Sequence, residues 1–218
     1  MNQVWDITLI LGAYLAGSVP FAYLIAKAVR GIDIREVGSG NVGATNVGRA
    51  LGRKWGILVF ALDVLKGFLP TLAALLLHHE PALALRSFGE GGLPLGVALT
   101  GFAAVAGHNW PVFLKFKGGK GMATSCGVFL AVFRPGLLIA LGVWAVAVAI
   151  TRYVSVGSMV AAEALLISAL FLRNRPFGEG KFLTALAAVT AVLSIIRHRA
   201  NIARLVQGTE NRIGRKGD

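Results

Sequence analysis

The sequence predicts an all-α fold, a membrane helix bundle of about seven transmembrane helices. Three observations lead to this fold class. Of the 218 residues, 56% are apolar and only 15% are charged, whereas about a quarter of the residues in soluble domains are charged. The mean hydropathy is +0.70. Apolar runs approach the ~20 residues needed to cross a bilayer, and short, glycine-rich, basic connections separate them. Residues 1–218 are therefore predicted to form a single membrane domain.

Seven apolar runs place the predicted spans in chain order. They cover residues 4–27, 55–77, 93–114, 122–133, 135–151, 154–172 and 181–196. The first run has no basic segment before it and no small-residue cleavage pattern, so it is interpreted as a retained span and not as a signal peptide. The fourth run is short, and only residues 134–136 divide it from the fifth. These two could form one re-entrant pair, which leaves five or six crossings open.

Polar side chains occur within two of the runs. Asp63 and Lys66 lie three residues apart in the second run, where a helix places them side by side. An isolated charge in a membrane is costly, so an internal ion pair is predicted. In the sixth run, Ser158 lies near the end predicted to face the cytoplasm and could line the floor of a site. Glu163 lies near the middle of that run, and the sequence assigns it no role.

The distribution of Lys and Arg predicts the orientation, because positive charge is retained on the cytoplasmic side. With seven spans and a cytoplasmic C-terminus, 16 of these residues lie inside and five lie outside. The inside residues are Lys27, Arg30, Arg35, Arg49, Arg53, Lys54, Lys115, Lys117, Lys120, Arg152, Arg197, Arg199, Arg204, Arg212, Arg215 and Lys216. The outside residues are Arg86, Arg134, Arg173, Arg175 and Lys181. The N-terminus is thus predicted outside, although LRNRPFGEGK (172–181) is a local exception.

Composition also limits the partners and cofactors. The net charge of +12 could suggest nucleic acid, but the basic residues flank predicted spans with few aromatic residues between them. Lipid phosphates and anionic substrates are therefore the expected partners, and nucleic acid is not. Cys126 is the only cysteine, which excludes an internal disulfide and a cysteine-based metal cluster. No pair of carboxylates suits a metal ion, so neither a metal nor a cofactor is predicted.

Three predicted cytoplasmic segments have the composition of phosphate sites. They are GSGNVGATNVGR (38–49), GHNWPVFLKFKGGKG (107–121) and RHRANIARLVQGTENR (197–212). Glycines let backbone N–H groups approach an oxyanion, Ser, Thr and Asn donate hydrogen bonds, and Lys or Arg supplies charge. Because all three lie on one predicted membrane face, they suggest one composite anion pocket.

The first segment contains G-x-G-x-x-G, the pattern of dinucleotide sites. Such a site needs a preceding strand, and here a predicted membrane helix precedes the loop. The interpretation that remains is an anion wrapped by the loop amides and by the side chains of Ser39, Asn41, Thr45 and Asn46. The alternative is a glycine-rich cytoplasmic turn.

The second segment ends in Gly-Gly-Lys-Gly (118–121), directly before a run predicted to be helical. Amides at a helix N-terminus together with a lysine make an anion site. No Ser or Thr follows Lys120, so the segment is not a Walker A loop and ATP use is not indicated. Lys120 is interpreted as a ligand contact, and Lys115 and Lys117 as charges that flank a span. His108 either belongs to the site or caps backbone carbonyls.

The third segment places His198, Asn201 and Arg204 at intervals of three residues. A helix through this segment would put them on one face, toward one ligand. The alternative is a basic amphipathic tail that lies on lipid headgroups.

These segments resemble the bacterial membrane acyl-phosphate:glycerol-3-phosphate acyltransferases, the PlsY family. The resemblance runs almost end to end, through GSGNVGATNVGRALG, DVLKG, GHNWPVFLKFKGGKGMAT, RYVSVGS and RHRANIARLVQGTE. It implies a seven-helix bundle in the bacterial inner membrane with its active site facing the cytoplasm. The implied reaction transfers a fatty acyl group from acyl phosphate to the 1-hydroxyl of glycerol 3-phosphate, yielding lysophosphatidate and phosphate.

The resemblance also implies roles for individual residues. Those expected to hold the acyl-phosphate head are Ser39, Gly40, Asn41, Thr45 and Asn46. Those expected to hold glycerol 3-phosphate are Arg49, Lys120, Ser158, His198 and Asn201. Among the latter, Lys120, His198 and Asn201 are expected to be catalytic. Membrane lipid is an implied partner, and docking of a soluble, PlsX-like acyl-phosphate synthase on the cytoplasmic loops is left open.

The sequence also bears on mechanism. The H-x-x-x-x-D pair of other glycerolipid acyltransferases is missing, since Phe113 lies five residues after His108 and Ala203 five residues after His198. Acyl phosphate is already activated, so direct attack without an acyl-enzyme is expected, with proton removal assisted by the substrate. Two other classes are a transporter of phosphorylated metabolites, although no internal repeat supports it, and a lipid-binding scaffold.

Overall fold

The computed structural model describes residues 3–78, 92–172 and 175–214. Over those ranges the regular secondary structure is helical and contains no strand, which confirms the all-α prediction. The α-helices there are α1 (Gln3–Ser18), α2 (Phe21–Arg30), α3 (Ala44–Leu51), α4 (Arg53–Leu77), α5 (Leu95–Asn109), α6 (Met122–Val132), α7 (Arg134–Thr151), α8 (Val154–Leu172), α9 (Lys181–Arg197) and α10 (Arg199–Val206). Two 3₁₀ turns, Ile34–Glu36 and Val112–Leu114, lie in the connections.

Within the described ranges, five segments are long and apolar enough to cross a membrane. They are Trp5–Arg30, Arg53–Leu77, Leu95–Leu114, Arg134–Thr151 and Val154–Leu172. The α9–α10 pair, bent by 51°, makes a sixth if it is counted as one span. Helix α6 is apolar but has only 11 residues. The count of seven spans and the orientation therefore stay predictions, and four of the cations behind them lie outside the described residues: Arg86, Arg173, Arg215 and Lys216.

Large apolar side chains cover the outer surface of these helices. Leu138 is 69% exposed, Ile150 is 76% exposed and Phe171 is 82% exposed. Leaving such side chains in water would forgo about 1.5–3 kcal/mol each, whereas hydrocarbon solvates them. The helices therefore have the surface of an integral membrane protein.

The observed helices end close to the predicted spans, with differences where prolines lie. The first run, predicted over 4–27, is divided into α1 and α2 at Val19 and Pro20. Proline has no N–H to donate and disfavours helical geometry in the residue before it. For the same reason α5 ends at Asn109, two residues before Pro111. Residues from both interruptions line a small cavity described below.

The chain divides into two compact units. The first comprises Met1–Glu80 and Gly96–Ala131, and the second comprises Pro81–Leu95 and Val132–Asp218. The first unit thus contains α1 to α4 and nearly all of α5 and α6, and the second contains α7 to α10. The single domain expected from the sequence stays a prediction. Of the three segments with the composition of phosphate sites, the first two belong to the first unit and the third belongs to the second.

A small apolar core in the first unit supports the connection between α2 and α4. Its members are Ala22, Ala26, Ile34, Val42, Val47, Leu51, Val59 and Leu114. Helix α3 contributes Val47 and Leu51, which are four residues apart and share one face. Thr45 and Arg49, also four residues apart, are exposed on the opposite face. The core therefore fixes α3 with these two polar side chains directed outward.

In the second unit, α8 packs against both α7 and α9. The first of these contacts is close at Gly157, where an added Cβ would lie 2.5 Å from a methyl group of Val148. The chain beyond α10 returns to the turn between α7 and α8. There Ile213 donates its backbone N–H to the Arg152 carbonyl at 2.9 Å, and Arg212 Nε donates to the Tyr153 hydroxyl at 2.7 Å. The tail is thereby fastened to the start of α8.

Candidate active site

Asn46 organises the loop that precedes α3. Its amide nitrogen donates to the carbonyls of Ile34 (3.1 Å), Val37 (2.9 Å) and Asn41 (3.1 Å). Its amide oxygen accepts the backbone N–H of Ser39 at 3.0 Å. The side chain is buried, with 1% exposed. The hydrogen bonds of Asn46 are therefore directed into the loop before α3, and they determine the shape of that loop.

Glycine conformations complete this loop. Gly38 and Gly40 have φ angles of +60° and +68°, in the left-handed region that other residues seldom adopt. A Cβ at Gly38 would also lie 2.5 Å from Oδ1 of Asn46. Ser39 and Asn41 are half-buried, whereas Gly40 and Thr45 are exposed. The loop thus presents polar side chains on a backbone that the hydrogen bonds of Asn46 hold in place.

The Gly-Gly-Lys-Gly loop lies tightly against the end of α5. Gly119 donates its N–H to the carbonyl of His108 at 3.1 Å. A Cβ at Gly118 would collide with that same carbonyl and with the Pro111 ring. Helix α6 begins at Met122, directly after the loop, as the sequence predicted. Lys120 is half-buried and lies two residues before α6 begins at Met122. The dipole of α6 favours an anion at this end of the helix.

A buried group of ionisable side chains lies beneath this loop. Lys66 Nζ is 2.8 Å from Asp63 Oδ1, which confirms the predicted ion pair within α4. His108 Nδ1 lies 3.6 Å from the same carboxylate oxygen. The three side chains line one cavity together with Val42, Gly118, Gly119 and the interruption between α1 and α2. His108 thus belongs to a charged cluster, an arrangement that the sequence did not predict.

In the second unit, Glu210 is the centre of the polar contacts. Its carboxylate accepts hydrogen bonds from Ser155 Oγ (2.9 Å), Asn201 Nδ2 (2.6 Å) and Arg204 Nε (2.7 Å). Burial by itself would raise the pKa of Glu210, but these hydrogen bonds and the charge of Arg204 outweigh it and hold the pKa below its ordinary value. Glu210 is not among the site residues predicted from the sequence. The available signal was a lone carboxylate in a segment rich in Arg.

The third segment differs from the continuous helix assumed for it. The chain bends by 51° at His198, between α9 and α10, so the segment is not one straight helix. His198 is 2% exposed, and its Nδ1 is 2.8 Å from the Ser194 carbonyl. Asn201 and Arg204 do share a face of α10, but Glu210 is the group that joins them. At the bend His198 departs from helical geometry, with φ −95° and ψ 6°, and its N–H is shared between the carbonyls of Ser194 and Ile195.

The predicted site residues are distributed over both units. Those in the first unit are Ser39, Gly40, Asn41, Thr45, Asn46, Arg49 and Lys120. Those in the second are Ser158, His198 and Asn201. Ser158 is 7% exposed and lies three residues after Ser155, on the same face of α8. In the second unit, Ser158 thus shares a helix face with a hydrogen-bond partner of Glu210.

Residues 7–208 match the family described as glycerol-3-phosphate acyltransferase. The chain belongs to this family. The acyltransferase is 42% identical over 217 residues to the glycerol-3-phosphate acyltransferase of Desulforamulus reducens, and the match covers 99% of each chain. It is 46% identical over 204 residues to the corresponding protein of Aquifex aeolicus, with 94% of this chain and 97% of the relative covered.

Two crystal structures resemble the acyltransferase throughout. Both are of PlsY, described as an integral membrane glycerol 3-phosphate acyltransferase. The glycerol 3-phosphate form has a TM-score of 0.83 and 42% identity, with 96% of each chain covered. The lysophosphatidic acid form has a TM-score of 0.81 and 41% identity, with 96% of this chain and 95% of the other covered. The resemblance to the PlsY family is confirmed, and the chain is an integral membrane acyltransferase of phospholipid synthesis.

Proposed function

We propose that the chain transfers a fatty acyl group from acyl phosphate to the 1-hydroxyl of glycerol 3-phosphate, at the cytoplasmic face of the bacterial inner membrane. The products are lysophosphatidate and inorganic phosphate. The observation that carries the proposal is a contact within the first unit between two loops that have the composition of phosphate sites. An added Cβ at Gly119 would lie 2.8 Å from the Val42 carbonyl oxygen, so the Gly-Gly-Lys-Gly loop lies directly against the loop before α3. Two adjoining loops of this kind suit two phosphate-bearing substrates.

The acyl-phosphate head is assigned to the loop before α3. The side chains of Ser39, Asn41 and Thr45 offer hydrogen-bond donors to its phosphate, and Gly40, with a φ of +68°, lets the loop turn between them. Asn46 belongs to the same assignment through its hydrogen bonds to the loop backbone, which hold those donors in place. The acyl chain enters from the lipid side, between helices, which explains why the reaction uses a membrane protein.

Glycerol 3-phosphate is assigned to the five residues that the resemblance to the family implies. They are Arg49, Lys120, Ser158, His198 and Asn201. Support comes from the positive charge of Lys120 at the start of α6, and from the solved relative in its glycerol 3-phosphate form, 42% identical to this chain. Lys120, His198 and Asn201 are the proposed catalytic residues. Their role is to neutralise and orient the substrate phosphates, since two anions must otherwise approach each other against repulsion.

The proposed transfer is direct and uses no acyl-enzyme. The oxygen of the 1-hydroxyl attacks the acyl carbonyl carbon and forms the new ester bond. The bond between that carbon and the bridging phosphate oxygen breaks, and the phosphate leaves with its electron pair. The hydroxyl proton passes to an oxygen of a substrate phosphate, so positioning and charge stabilisation supply the catalysis. Trapping a covalent acyl-protein intermediate would contradict this mechanism.

A soluble acyl-phosphate synthase that docks on the cytoplasmic loops is the proposed source of the donor. Acyl phosphate is amphiphilic, and direct delivery would spare it from dilution in water. The basic character of these loops supports the proposal. Co-sedimentation of such a synthase with vesicles that contain the acyltransferase, and not with empty vesicles, tests the docking.

The reaction can be tested with purified protein in detergent. Phosphate release from palmitoyl phosphate is measured with and without glycerol 3-phosphate, and the lipid product is identified by mass spectrometry. We expect release that depends on both substrates and yields lysophosphatidate. A folded protein without turnover would contradict the proposal, and uptake of glycerol 3-phosphate into liposomes would then favour the transporter.

The glycerol 3-phosphate assignment has its own test. We expect Lys120→Ala and Arg49→Ala to raise KM for glycerol 3-phosphate about ten- to hundredfold, because each removes a charge-assisted contact to phosphate. Lys117→Ala is the matched control, since it removes an exposed lysine from the same segment. An unchanged KM for glycerol 3-phosphate in both test variants would overturn the assignment.

A further inference from the structure

Three ionisable side chains of the first unit have no place among the proposed substrate contacts. Asp63 and Lys66 on α4 and His108 on α5 are buried, with side chains 3%, 5% and 6% exposed. Lys66 Nζ is 2.8 Å from Asp63 Oδ1, and His108 Nδ1 is 3.6 Å from the same oxygen. We call these three residues the buried charged cluster.

Lys66 connects the cluster to the interruption of the first span. Its Nζ donates to the Val19 carbonyl at 2.9 Å and lies 5.6 Å from the centre of the Phe21 ring. The carbonyl that the helix break at Pro20 leaves outside the helical ladder therefore has a charged partner. Asp63 in turn is held in place by the ammonium group of Lys66.

His108 connects the cluster to the Gly-Gly-Lys-Gly loop. Its carbonyl accepts the N–H of Gly119 at 3.1 Å. An added Cβ at Gly119 would collide with Nε2 of the His108 imidazole, so the loop backbone rests on that edge of the ring. The opposite nitrogen, Nδ1, faces Asp63. One imidazole thus lies between the buried carboxylate and the loop that carries Lys120.

Stability by itself does not account for such a cluster. Replacing a buried ion pair by apolar residues of similar volume is often neutral or stabilising. His108 instead contacts the backbone of the Gly-Gly-Lys-Gly loop. These contacts indicate that the cluster supports that loop.

We propose that the buried charged cluster positions Lys120 for glycerol 3-phosphate. Lys66 holds Asp63, Asp63 sets the orientation of the His108 ring, and the ring supports the loop at Gly119. None of the three touches substrate, so they are positioning residues. This inference rests on the proposed role of Lys120 in the proposed function.

The main test variant is His108→Phe, which keeps an aromatic ring and removes both nitrogens. Hydrogen exchange of the loop amides is measured by mass spectrometry without substrate, and KM and kcat are measured for both substrates. We expect faster exchange over residues 118–121 and a KM for glycerol 3-phosphate that rises about tenfold or more. KM for acyl phosphate should change less than about twofold, because the loop before α3 is held separately by Asn46.

A second variant keeps the test decisive if the His108→Phe protein does not fold. The double substitution Asp63→Asn with Lys66→Met removes both charges at similar volume and leaves no unpaired buried ion. We expect it to reproduce the effects of His108→Phe, and the combined triple variant to add little further. Thr100→Val is the matched control: it removes a buried hydrogen bond within α5, the helix of His108, and should leave exchange and KM unchanged.

Each outcome decides the inference. Wild-type exchange at the loop in folded His108→Phe protein would overturn it, and so would faster exchange with an unchanged KM or a raised KM with unchanged exchange. If the wild-type protein itself failed to turn over, the proposed function would fail. Hydrogen exchange would then still decide between a loop that depends on the cluster and one that does not.

Discussion

Glu210 gathers three hydrogen bonds from side chains that lie 55, 9 and 6 positions away in the chain. Three donors around one carboxylate explain why a buried acid stays charged in a basic segment. Asn201 thereby has one orientation, with its amide nitrogen on Glu210. The tail beyond α10 is held in the same place, because Glu210 joins it to the first turn of α8. One carboxylate thus organises the part of the second unit that carries Asn201.

Glu210→Gln should impair both stability and activity. The substitution keeps the shape, removes the charge that faces Arg204, and places an amide against other donors. We expect the free energy of unfolding to fall by roughly 1–3 kcal/mol. We also expect kcat/KM for glycerol 3-phosphate to fall by a larger factor than KM for acyl phosphate rises. Thermal unfolding and steady-state kinetics check this. Glu179→Gln is the control, since its carboxylate, in the same unit, is 62% exposed and makes a surface pair with Arg175.

The lowered pKa of Glu210 also predicts how stability depends on pH. The folded protein favours the ionised carboxylate, so the stability it contributes is present above the ordinary pKa of glutamate and is lost as pH falls through the lowered pKa. The difference in melting temperature between wild type and Glu210→Gln should therefore be constant near neutral pH and shrink below roughly pH 4. A difference that grows in acid would show that the charge is not the reason for it.

Segments that interrupt or end helices form much of the candidate site. The interruption between α1 and α2 supplies the Val19 carbonyl to Lys66, and the end of α5 at Asn109 lets residues 110–121 form a loop that folds back on His108. The loop before α3 is a third such element, and a single amide, Asn46, holds it. Because their backbone groups are not used in helical hydrogen bonds, these elements can present N–H groups to anions.

Asn46→Asp should disrupt the loop before α3. The carboxylate keeps the acceptor for Ser39 but cannot donate to the three carbonyls that now receive the amide. We expect a loss of roughly 2–4 kcal/mol in stability and a marked rise in KM for acyl phosphate. Thermal unfolding and kinetics with varied acyl phosphate measure both effects. The same change of chemistry at the exposed Gln207, Gln207→Glu, should be neutral, and equal effects at the two positions would contradict a specific role for Asn46.

For the whole molecule, the charge distribution predicts the orientation in the membrane. The chain has one cysteine, Cys126, so single-cysteine variants can be built on Cys126→Ala. We expect Lys181→Cys to react with a membrane-impermeant maleimide in intact cells. Lys54→Cys and Gln207→Cys should react only after permeabilisation, because they lie in segments predicted to be cytoplasmic. All three wild-type side chains are exposed, so accessibility within the protein does not obscure the result. The reverse labelling pattern would overturn the orientation.

The sequence by itself determined the helical membrane fold, the approximate limits of the helices, the Asp63–Lys66 pair and the family. These follow from local properties: apolar runs, prolines, spacing along one helix, and long motifs. Only the tertiary structure decided that Asn46 serves its own loop, that Glu210 joins Ser155 and Asn201, and that His108 lies between Asp63 and Gly119. The physical reason is that such contacts depend on the path of the chain. Lys66 donates to the Val19 carbonyl from 47 positions away, at a helix break that spacing along the sequence does not place beside α4.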